Sequence, residues 1–502
     1  MVTESSPRRV TTLLSTRHII SFVILALIFV GAAQPITDTD FWWHLRTGQY
    51  IVDARAIPHT DIFSTARFSS EWVTHEWLAE VLTYLLFRAW SFGGLIVVFS
   101  LIIMAAFWIA YRQCRRRTGH VYVAGFALLL GAFASMPTWG VRPHVFSLLF
   151  ASIFISFLDR YSRREEMPSI WWLAPLMILW VNLHAGFALG IALIVITLAG
   201  LMLNRVLLRA ENVPGDWKRL RSLCWVLVVC VGVVSLNPNF TRMYSYPFET
   251  LTSRAMMQYI QEWRSPNFYD PRFQALALLM LSTFSALAVS SKRVRPSELF
   301  MLVTTAWATL RSVRNVPYFA LVAMPLLAEH SWNWITNYRG ARWFRTFEKP
   351  KHTKDPSFKA MLNVSVVVLV LVLVVLGVRR AASRQQTIEA EDFPAAAVNF
   401  IQSQRPPQPI FNEYDWGGYL IWRLYPDYRV YIDGRADVYG DQILEEFLHV
   451  HDGKTGWHEF LDRHGVRTVL VKPDVPLASL LRLDSGWQKA YEDQKAVAFV
   501  RR

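Results

Sequence analysis

The sequence is poor in cysteine and in charged residues. It has three cysteines in 502 residues, and 18% of its residues are Asp, Glu, Lys or Arg, below the roughly 25% of ordinary soluble domains. Cys114 lies in a basic segment, and Cys224 and Cys230 lie in one apolar run. None of them falls in the segments that we place outside a membrane below, so no disulfide framework supports those segments.

Glycine-rich nucleotide-binding motifs are also missing. The sequence contains neither a P-loop nor a dinucleotide fingerprint, so an ATP-driven pump is not expected. The net charge of +14 would suit a nucleic-acid partner. However, the Lys and Arg residues cluster in hydrophilic gaps between apolar runs, as they do beside membrane spans. We therefore expect no nucleic-acid partner.

Long apolar runs are the main feature that is present. Hydrophobic residues make up 53% of the chain, and its mean hydropathy is +0.24. The longer runs can cross a hydrocarbon layer of roughly 30 Å, and in lipid they must be helices because every backbone group has to pair within its own segment. We predict about eleven spans, at residues 17–34, 92–111, 121–138, 143–159, 169–184, 187–204, 222–236, 273–290, 297–311, 316–330 and 361–378.

The distribution of basic residues predicts the orientation. With the N-terminus inside, basic gaps such as 112–117 and 205–221 lie in the cytoplasm, as the positive-inside rule requires. The first run, 17–34, is long for a signal-peptide core and has no clear cleavage site after it, so we interpret it as a retained span. The predicted fold is a polytopic α-helical membrane domain, 1–378, followed by a soluble C-terminal α/β domain, 379–502.

Two long loops are predicted to lie on the outer side of the membrane, as the tail does. They cover residues 35–90 and 237–272, and the second is rich in Tyr, Trp and Arg. Within the first loop, residues 76–88 alternate apolar and polar side chains at helical spacing, which predicts an amphipathic helix lying along the membrane surface.

The tail is long enough to bury a core of its own. Its short apolar runs predict buried strands at 409–412, 428–432 and 467–471, and helices at 444–449 and 457–464. Gly-containing turns separate these elements.

Asp38 and Asp40 are the strongest candidates for chemistry. They lie just beyond the predicted first span, and residues two apart on an extended chain point the same way. Two such carboxylates can share a divalent cation such as Mg²⁺ or Mn²⁺, or one of them can act as a general base. An ordinary solvated acidic loop is the structural alternative.

Histidines accompany the acid pair on the same side. His44, His75 and Glu76 belong to the first loop, and His144 and His184 occupy neighbouring external turns. These side chains suit binding of a metal or a substrate. Each of them alone is also compatible with an ordinary hydrogen-bonding role.

Three arginines lie at the predicted outer ends of spans, namely Arg142, Arg311 and Arg314. A guanidinium there can hold a phosphate through two parallel hydrogen bonds. The alternative is that these side chains extend to lipid head groups. We predict a lipid-phosphate site that uses them.

The tail has its own polar candidates in Asp415, Asp433, Arg435 and Asp437. They belong to two segments that are dense in polar and turn-forming residues, where Arg435 can pair with Asp437. We favour a structural role for these residues over ligand binding.

Taken together, an acid pair directly after a first span, a long external loop and many further spans resemble the GT-C superfamily. These are integral membrane glycosyltransferases that use polyprenyl-phosphate-linked sugar donors. Segments 38–51, 61–64 and 71–80 of the first loop, and 416–420 and 432–437 of the tail, resemble uncharacterised bacterial members.

The resemblance implies a mechanism. It implies that Asp38 or Asp40 is the catalytic base or helps to hold a divalent cation, and that Arg142, Arg311 or Arg314 binds the lipid phosphate. The implied enzyme is a hexosyl- or pentosyltransferase that moves a sugar, with inversion, to an extracytoplasmic glycan, lipid or protein. The Trp-Trp-Asp motif of oligosaccharyltransferases is missing, which does not support glycosylation of peptide Asn.

The implied location is the bacterial inner membrane, facing the cell envelope, with the tail outside. Two other functions share this hydropathy pattern. One is a flippase or transporter of lipid-linked sugars, and the other is a noncatalytic scaffold whose tail binds a ligand.

Overall fold

Helices dominate the computed structural model, which describes residues 16–206, 216–338 and 356–502. The apolar runs of the sequence form them, as the pairing requirement of the backbone in lipid demands. In chain order, the helices up to the tail are α1 (Thr16–Ala32), α2 (Phe41–Ala54), α3 (Trp77–Thr118), α4 (Val121–Ser135), α5 (His144–Arg163), α6 (Leu173–Leu183), α7 (Phe187–Val206), α8 (Asp216–Gly232), α9 (Arg242–Thr252), α10 (Arg254–Tyr259), α11 (Gln274–Val289), α12 (Pro296–Arg311), α13 (Val316–Asn337) and α14 (Pro356–Asp392).

Each of the predicted spans coincides with one of these helices. Within the described ranges, seven helices are long and apolar enough to cross a membrane, and two shorter apolar helices accompany them. The chain is therefore a multi-pass membrane protein. Helix α12 has 16 residues, and at about 1.5 Å per residue it falls short of the full hydrocarbon layer. The total of eleven spans and the orientation stay predictions.

Helix α3 contains the predicted amphipathic segment and the following span in one element. Ser91 interrupts it with a left-handed φ of 53°, so the helix kinks there. The part before the kink packs against α2. At Gly48 of α2 an added Cβ would lie 2.1 Å from the carbonyl oxygen of Glu80, so glycine is required where these two helices cross.

Ion pairs join four helix ends at the opposite end of the bundle. Arg117 Nη1 lies 3.0 Å from Glu329 Oε2, and Arg163 Nε lies 2.9 Å from Asp159 Oδ1. Glu298 also pairs with both arginines. Each charge is balanced by hydrogen-bonded partners, which buried charges need. The ends of α3, α5, α12 and α13 are thereby tied together.

The tail forms a small α/β domain, as predicted. Its four-stranded sheet has the order β1-β2-β4-β3, with β1 parallel to β2 and β4 antiparallel to both of its neighbours. Phe411 of β1 is paired with Val469 of β2, and Val469 with Phe499 of β4. The elements are α15 (Ala395–Gln404), β1 (Ile410–Asn412), α16 (Gly417–Leu424), α17 (Ala436–His451), α18 (Trp457–Arg463), β2 (Thr468–Val471), α19 (Pro476–Leu483), β3 (Trp487–Glu492) and β4 (Val497–Arg501).

One predicted strand of the tail is wrong. Residues 428–432 are mostly buried but do not join the sheet. Val430 instead forms an isolated parallel bridge with Ser64 of the first loop. The run packs on the tail through Tyr431, whose ring contacts Phe411 of β1 and Phe460. Val430 N–H donates to the carbonyl of Phe63 in the first loop. The backbone of the run therefore joins the tail to the membrane domain.

Aromatic packing holds the tail on the first loop. The ring of Trp42, in α2, makes edge-on contacts with Phe393 at 5.5 Å and with Tyr419 at 5.1 Å. At Gly418 of α16 an added Cβ would lie 2.6 Å from the carbonyl oxygen of Thr39. The tail therefore approaches the backbone of the acid-pair loop closely.

Candidate active site

The acid pair lies in the short connection between α1 and α2. Asp40 directly precedes α2, and its backbone N–H donates to Asp38 Oδ1 over 2.9 Å. This bond fixes the turn, and it brings the two side chains to the same side. Both carboxylates are largely shielded from water, with 16% of Asp38 and 20% of Asp40 exposed.

A single guanidinium binds both carboxylates. Arg142 comes from the turn between α4 and α5. Its Nε lies 2.6 Å from Asp38 Oδ2, and its Nη2 lies 2.7 Å from Asp40 Oδ2. Its third nitrogen, Nη1, pairs with Glu262 of the second external loop. Three segments of the chain that are far apart in sequence thus meet at one arginine.

The electrostatics of this cluster favour a base that works near neutral pH. Burial raises the pKa of Asp40 to about 7; Arg142 opposes the shift, while the charge of Asp38 adds to it. Burial also raises the pKa of Asp38. Burial acts in the same direction on Glu262, but Arg142 and Arg314 outweigh it and lower the pKa of Glu262 to about 2.

A cavity of about 830 Å³, the acid-pair cavity, opens beside these groups. Apolar side chains of α3 line one part of it, and the tail supplies another part. Gly434 of the tail approaches the acid pair closely, because a Cβ there would lie 1.7 Å from Asp40 Oδ1. The residues that line it from the tail are Glu413, Tyr414, Asp415, Gly434, Leu444, Phe447, Leu448 and His451.

Three of the four predicted histidines surround Glu76, and the fourth, His144, bonds through Nε2 to the carbonyl of Thr138 over 2.8 Å. The Glu76 carboxylate lies 3.1 Å from His75 Nε2, 3.3 Å from His184 Nε2 and 3.5 Å from His44 Nδ1. Burial lowers the pKa of His44 and of His184 to about 3 each. Burial opposes charge on His75 too, but Glu76 outweighs it and raises the pKa of His75. Contact with Glu76 thus favours the charged form of His75, whereas burial favours the neutral forms of His44 and His184.

A second cavity of about 280 Å³, the histidine cavity, adjoins the first. His75, Glu76 and His184 line it together with Arg314. The two cavities share part of their walls, and the shared residues are Pro137, Thr138, His144 and Glu262. A molecule in one cavity therefore lies next to a molecule in the other.

The predicted divalent cation has no ready-made set of ligands among the described residues. Within residues 16–206, 216–338 and 356–502, no group of three or more His, Cys, Asp or Glu side chains is arranged to hold a metal ion. Asp38 and Asp40 direct their carboxylates at Arg142 instead. Arg142 thus pairs with Asp38 Oδ2 and Asp40 Oδ2, two of the oxygen atoms that a hard cation would need.

Comparison with solved structures then decides the fold. The archaeal oligosaccharyltransferase AglB from Archaeoglobus fulgidus, in complex with an inhibitory peptide and a dolichol-phosphate, superposes with a TM-score of 0.57 and 11% identity over 96% of this chain and 74% of AglB. The apo form of the Archaeoglobus fulgidus oligosaccharyltransferase gives 0.56 and 12% over the same shares. The chain has the GT-C fold. No protein-family model and no curated protein matches the sequence.

Within the GT-C fold, the three predicted phosphate-binding arginines occupy different surroundings. Arg142 is enclosed by carboxylates, as described above. Arg314 is 35% exposed, lies over the ring of Trp263 and is 3.8 Å from Glu262. Arg311 is exposed, lies over the ring of Trp307 and does not line either cavity. The structure thus brings Arg142 and Arg314 to the acid pair and leaves Arg311 outside.

The four candidate residues of the tail also lie in different surroundings. Asp415 lines the acid-pair cavity and pairs with Lys472 at 3.5 Å. Asp437 accepts a hydrogen bond of 3.0 Å from the Tyr246 hydroxyl. The remaining two, Asp433 and Arg435, are buried next to each other.

The expected pairing of Arg435 with Asp437 is wrong. Arg435 is fully buried, and its guanidinium lies 2.7 Å from Asp433 and 2.8 Å from Asp61 of the first loop. It also lies over the ring of Trp72, 4.5 Å from the centroid. The long-range partner replaces the local one because the first loop covers this face of the tail.

Two residues of the site had no signal in the sequence. Glu262 is one carboxylate in an aromatic-rich loop, with no spacing that distinguishes it. Gly434 was visible only as part of an Asp-Gly turn. Both become functional candidates through long-range packing alone, which a local pattern does not encode.

Proposed function

We propose that this chain is a membrane glycosyltransferase that moves a sugar from a polyprenyl-phosphate donor to an acceptor outside the cytoplasm. The observation that carries the proposal is the acid pair bound to Arg142 on the wall of the acid-pair cavity. It combines a buried base, a fixed positive charge and room for a substrate at the junction of membrane helices and tail. The GT-C fold adds support, because the AglB structure contains a peptide and a dolichol-phosphate.

Asp40 is the proposed base. Its raised pKa makes the carboxylate basic enough to take a proton near neutral pH, which is where general bases work best. In the proposed step an acceptor O–H or N–H gives its proton to Asp40 while the acceptor atom bonds to the anomeric carbon. The bond from that carbon to the phosphate oxygen breaks, and the electron pair leaves with the phosphate. Attack from the face opposite the leaving group inverts the anomeric carbon.

Asp38 and Arg142 hold Asp40 in position. Arg142 binds both carboxylates, and the Asp38 side chain accepts a hydrogen bond from the backbone N–H of Asp40. Such a rigid arrangement keeps the reacting geometry without reorganisation during the reaction. No step in this scheme passes through a metal ion.

Arg314 is the proposed phosphate ligand. Arg142 is bound to three carboxylates, which compete with a phosphate for the same N–H groups. Arg314 makes one long ion pair, to Glu262, and lines the histidine cavity. Leu189 and Leu251 line the same cavity and suit the first prenyl units. A developing negative charge on the leaving phosphate would be stabilised there.

We further propose a hexosyl- or pentosyltransferase in a bacterial inner membrane, with the tail on the outer side. The support is the basic composition of the opposite loops, which favours a cytoplasmic position for them. The acceptor class proposed is a glycan, lipid or protein of the cell envelope.

The direct test is sugar transfer by the purified full-length protein. It is incubated with radiolabelled polyprenyl-phosphate sugars and an envelope acceptor pool, and labelled product is counted. We expect Asp40→Asn to lose at least about a hundredfold in rate, as removal of a general base does. Asp53→Asn, which changes an exposed carboxylate of the same helix α2, is the matched control and should retain activity.

Transfer that persists in both Asp38→Asn and Asp40→Asn would refute the proposed site. Loss in those variants with full activity in Asp53→Asn would support it.

A further inference from the structure

A second polar cavity lies at the end of the bundle remote from the acid pair. Its volume is about 310 Å³. We call it the basic cavity, because guanidinium groups dominate its polar lining. The arginines that line it are Arg163, Arg164, Arg205, Arg219 and Arg295.

Helix α5 sets the distance between the two ends. It begins at His144, which lines both cavities of the candidate active site, and ends at Arg163, which lines the basic cavity. Twenty residues of α-helix at about 1.5 Å each span roughly 30 Å. That is the thickness of a hydrocarbon core, so the basic cavity belongs to the opposite membrane face.

The carboxylates that the structure describes around this cavity do not balance the charge of its described arginines. Asp216 is the one carboxylate of the described lining, and it is shared by Arg164 and Arg205. Arg163 is neutralised on its other side by the ion pairs at the helix ends. Arg219 lies over the ring of Tyr161, 4.5 Å from its centroid.

Two of the arginines are therefore available to an anion. In the part of the chain that the structure describes, neither Arg219 nor Arg295 forms an ion pair with a carboxylate. Helix α12 begins at Pro296 beside Arg295, and Pro296 and Ser297 line the cavity too. The N-terminus of a 16-residue helix adds partial positive charge there, and Glu298 in its first turn offsets part of that charge by accepting a hydrogen bond from the backbone N–H of Arg295.

Membrane topology alone does not explain this arrangement. The positive-inside rule asks only for basic residues in the loops at this face, and Arg293, exposed two positions before Arg295, satisfies it. It does not require guanidiniums from four separate helix ends, those of α5, α7, α8 and α12, to line one cavity. Leu201 and Leu220 also line the cavity, so an apolar wall adjoins the charges.

We propose that the basic cavity binds a phosphate group, supplied either by the head group of an anionic membrane lipid or by a soluble diphosphate. A guanidinium can hold two phosphate oxygens at once, and Arg219 and Arg295 supply two such groups. This site is separate from the acid-pair cavity, so its failure leaves the proposed transferase activity untouched.

The test measures binding to the full-length protein in detergent by native mass spectrometry. The two probes are dioleoyl phosphatidic acid and inorganic pyrophosphate. Wild type is compared with Arg295→Gln, with the double variant Arg219→Gln/Arg295→Gln, and with Arg293→Gln as the matched control. Loss of one charge-assisted contact should weaken binding about tenfold, which corresponds to about 1.4 kcal/mol, and the double variant should weaken it further.

Each outcome either identifies the source of the phosphate, a lipid head group or a soluble diphosphate, or overturns the proposed site. Weakened binding of phosphatidic acid alone identifies a lipid head group, and weakened binding of pyrophosphate alone identifies a soluble ligand. Weakened binding of both shows a general phosphate site. Equal affinity in wild type, Arg293→Gln and Arg295→Gln, or no binding of either probe to wild type, would overturn the proposal. The single Arg295→Gln variant decides the matter if the double variant does not fold.

Discussion

At Gly434 an added Cβ would lie 1.7 Å from Asp40 Oδ1. We expect Gly434→Ala to fold, because the obstructing atom is the end of a side chain that can move. The moved carboxylate would no longer meet Arg142, so transfer should fall at least about tenfold, as small displacements of reacting groups do. The measurement is the rate of sugar transfer, with the thermal midpoint as a check of folding.

Gly232→Ala is the control for that experiment. An added Cβ at Gly232 meets nothing within 4 Å, so this variant should retain activity. Full activity in Gly434→Ala would show that the tail does not constrain Asp40.

The acidity of Asp40 predicts a pH profile. A carboxyl group whose pKa is raised to about 7 is protonated below that pH, so the base is lost as the solution becomes more acidic. We expect kcat/KM to rise with pH and level off above about 7. Because the charge of Asp38 contributes to the raised pKa of Asp40, Asp38→Asn should move any residual profile toward lower pH. A flat profile from acid to alkaline pH would contradict the assignment of Asp40.

Arg435 shows a different role for a buried charge. Its partners Asp61 and Asp433 are themselves fully buried. Arg435→Leu would leave both carboxylates without a counter-charge, and we expect a loss of about 3–5 kcal/mol in stability. Thermal unfolding in detergent measures this loss, and Arg463→Gln, at an exposed position of the tail, should leave the unfolding midpoint unchanged. An unchanged midpoint in Arg435→Leu would show that the tail and loop are held by other contacts.

At the scale of elements, helix α2 joins the acid pair to the tail. Trp42 is fully buried and packs against Phe393 and Tyr419. Trp42→Ala should destabilise the protein by about 3–5 kcal/mol and also lower activity, because Asp40 directly precedes this helix. Thermal unfolding and the transfer assay measure the two effects.

Trp90→Ala is the matched control, since Trp90 is 64% exposed. If the two variants lost the same amount of stability, the aromatic contact between α2 and the tail would not stabilise the protein more than an exposed tryptophan does.

The sequence predicted the helices of the membrane domain well because lipid allows little else. An apolar run of sufficient length has to be helical, whatever its neighbours are. The tail was harder. Strand β3 (Trp487–Glu492) is mostly exposed and polar, so it lacks the apolar run that marked β1 and β2. The run at 428–432 packs on the sheet and on the first loop but does not pair with a strand of the sheet.

The candidate site was predictable only in part, because most of its contacts join residues that are far apart in the sequence. Asp38 and Asp40 have a local spacing that suggests chemistry. Their contact with Arg142 and Glu262 depends on how distant turns pack, and the sequence has no local signal for that. The ion pairs of both carboxylates with one guanidinium follow from the same long-range contact.

At the scale of the whole molecule, the predicted orientation places the tail and Asp38 on one side and Arg293 on the other. The check is labelling of intact spheroplasts with a membrane-impermeant maleimide, in a background where Cys114, Cys224 and Cys230 are replaced by serine. Asp474→Cys, at an exposed position of the tail, should be labelled. Arg293→Cys should be labelled only after the membrane is permeabilised. The reverse pattern would invert the topology.

The contact between Gly434 and Asp40 also has a consequence for biosynthesis. Asp40 leaves the ribosome early and Gly434 late, so the first loop waits in open water while the rest of the chain is inserted. During that time the acid pair lacks the wall that the tail supplies, and water keeps its carboxylates ordinarily acidic. In the predicted topology, the proposed site is therefore complete only after the tail has crossed the membrane and folded against the loop, and we expect a nascent chain that stalls before that point to be inactive.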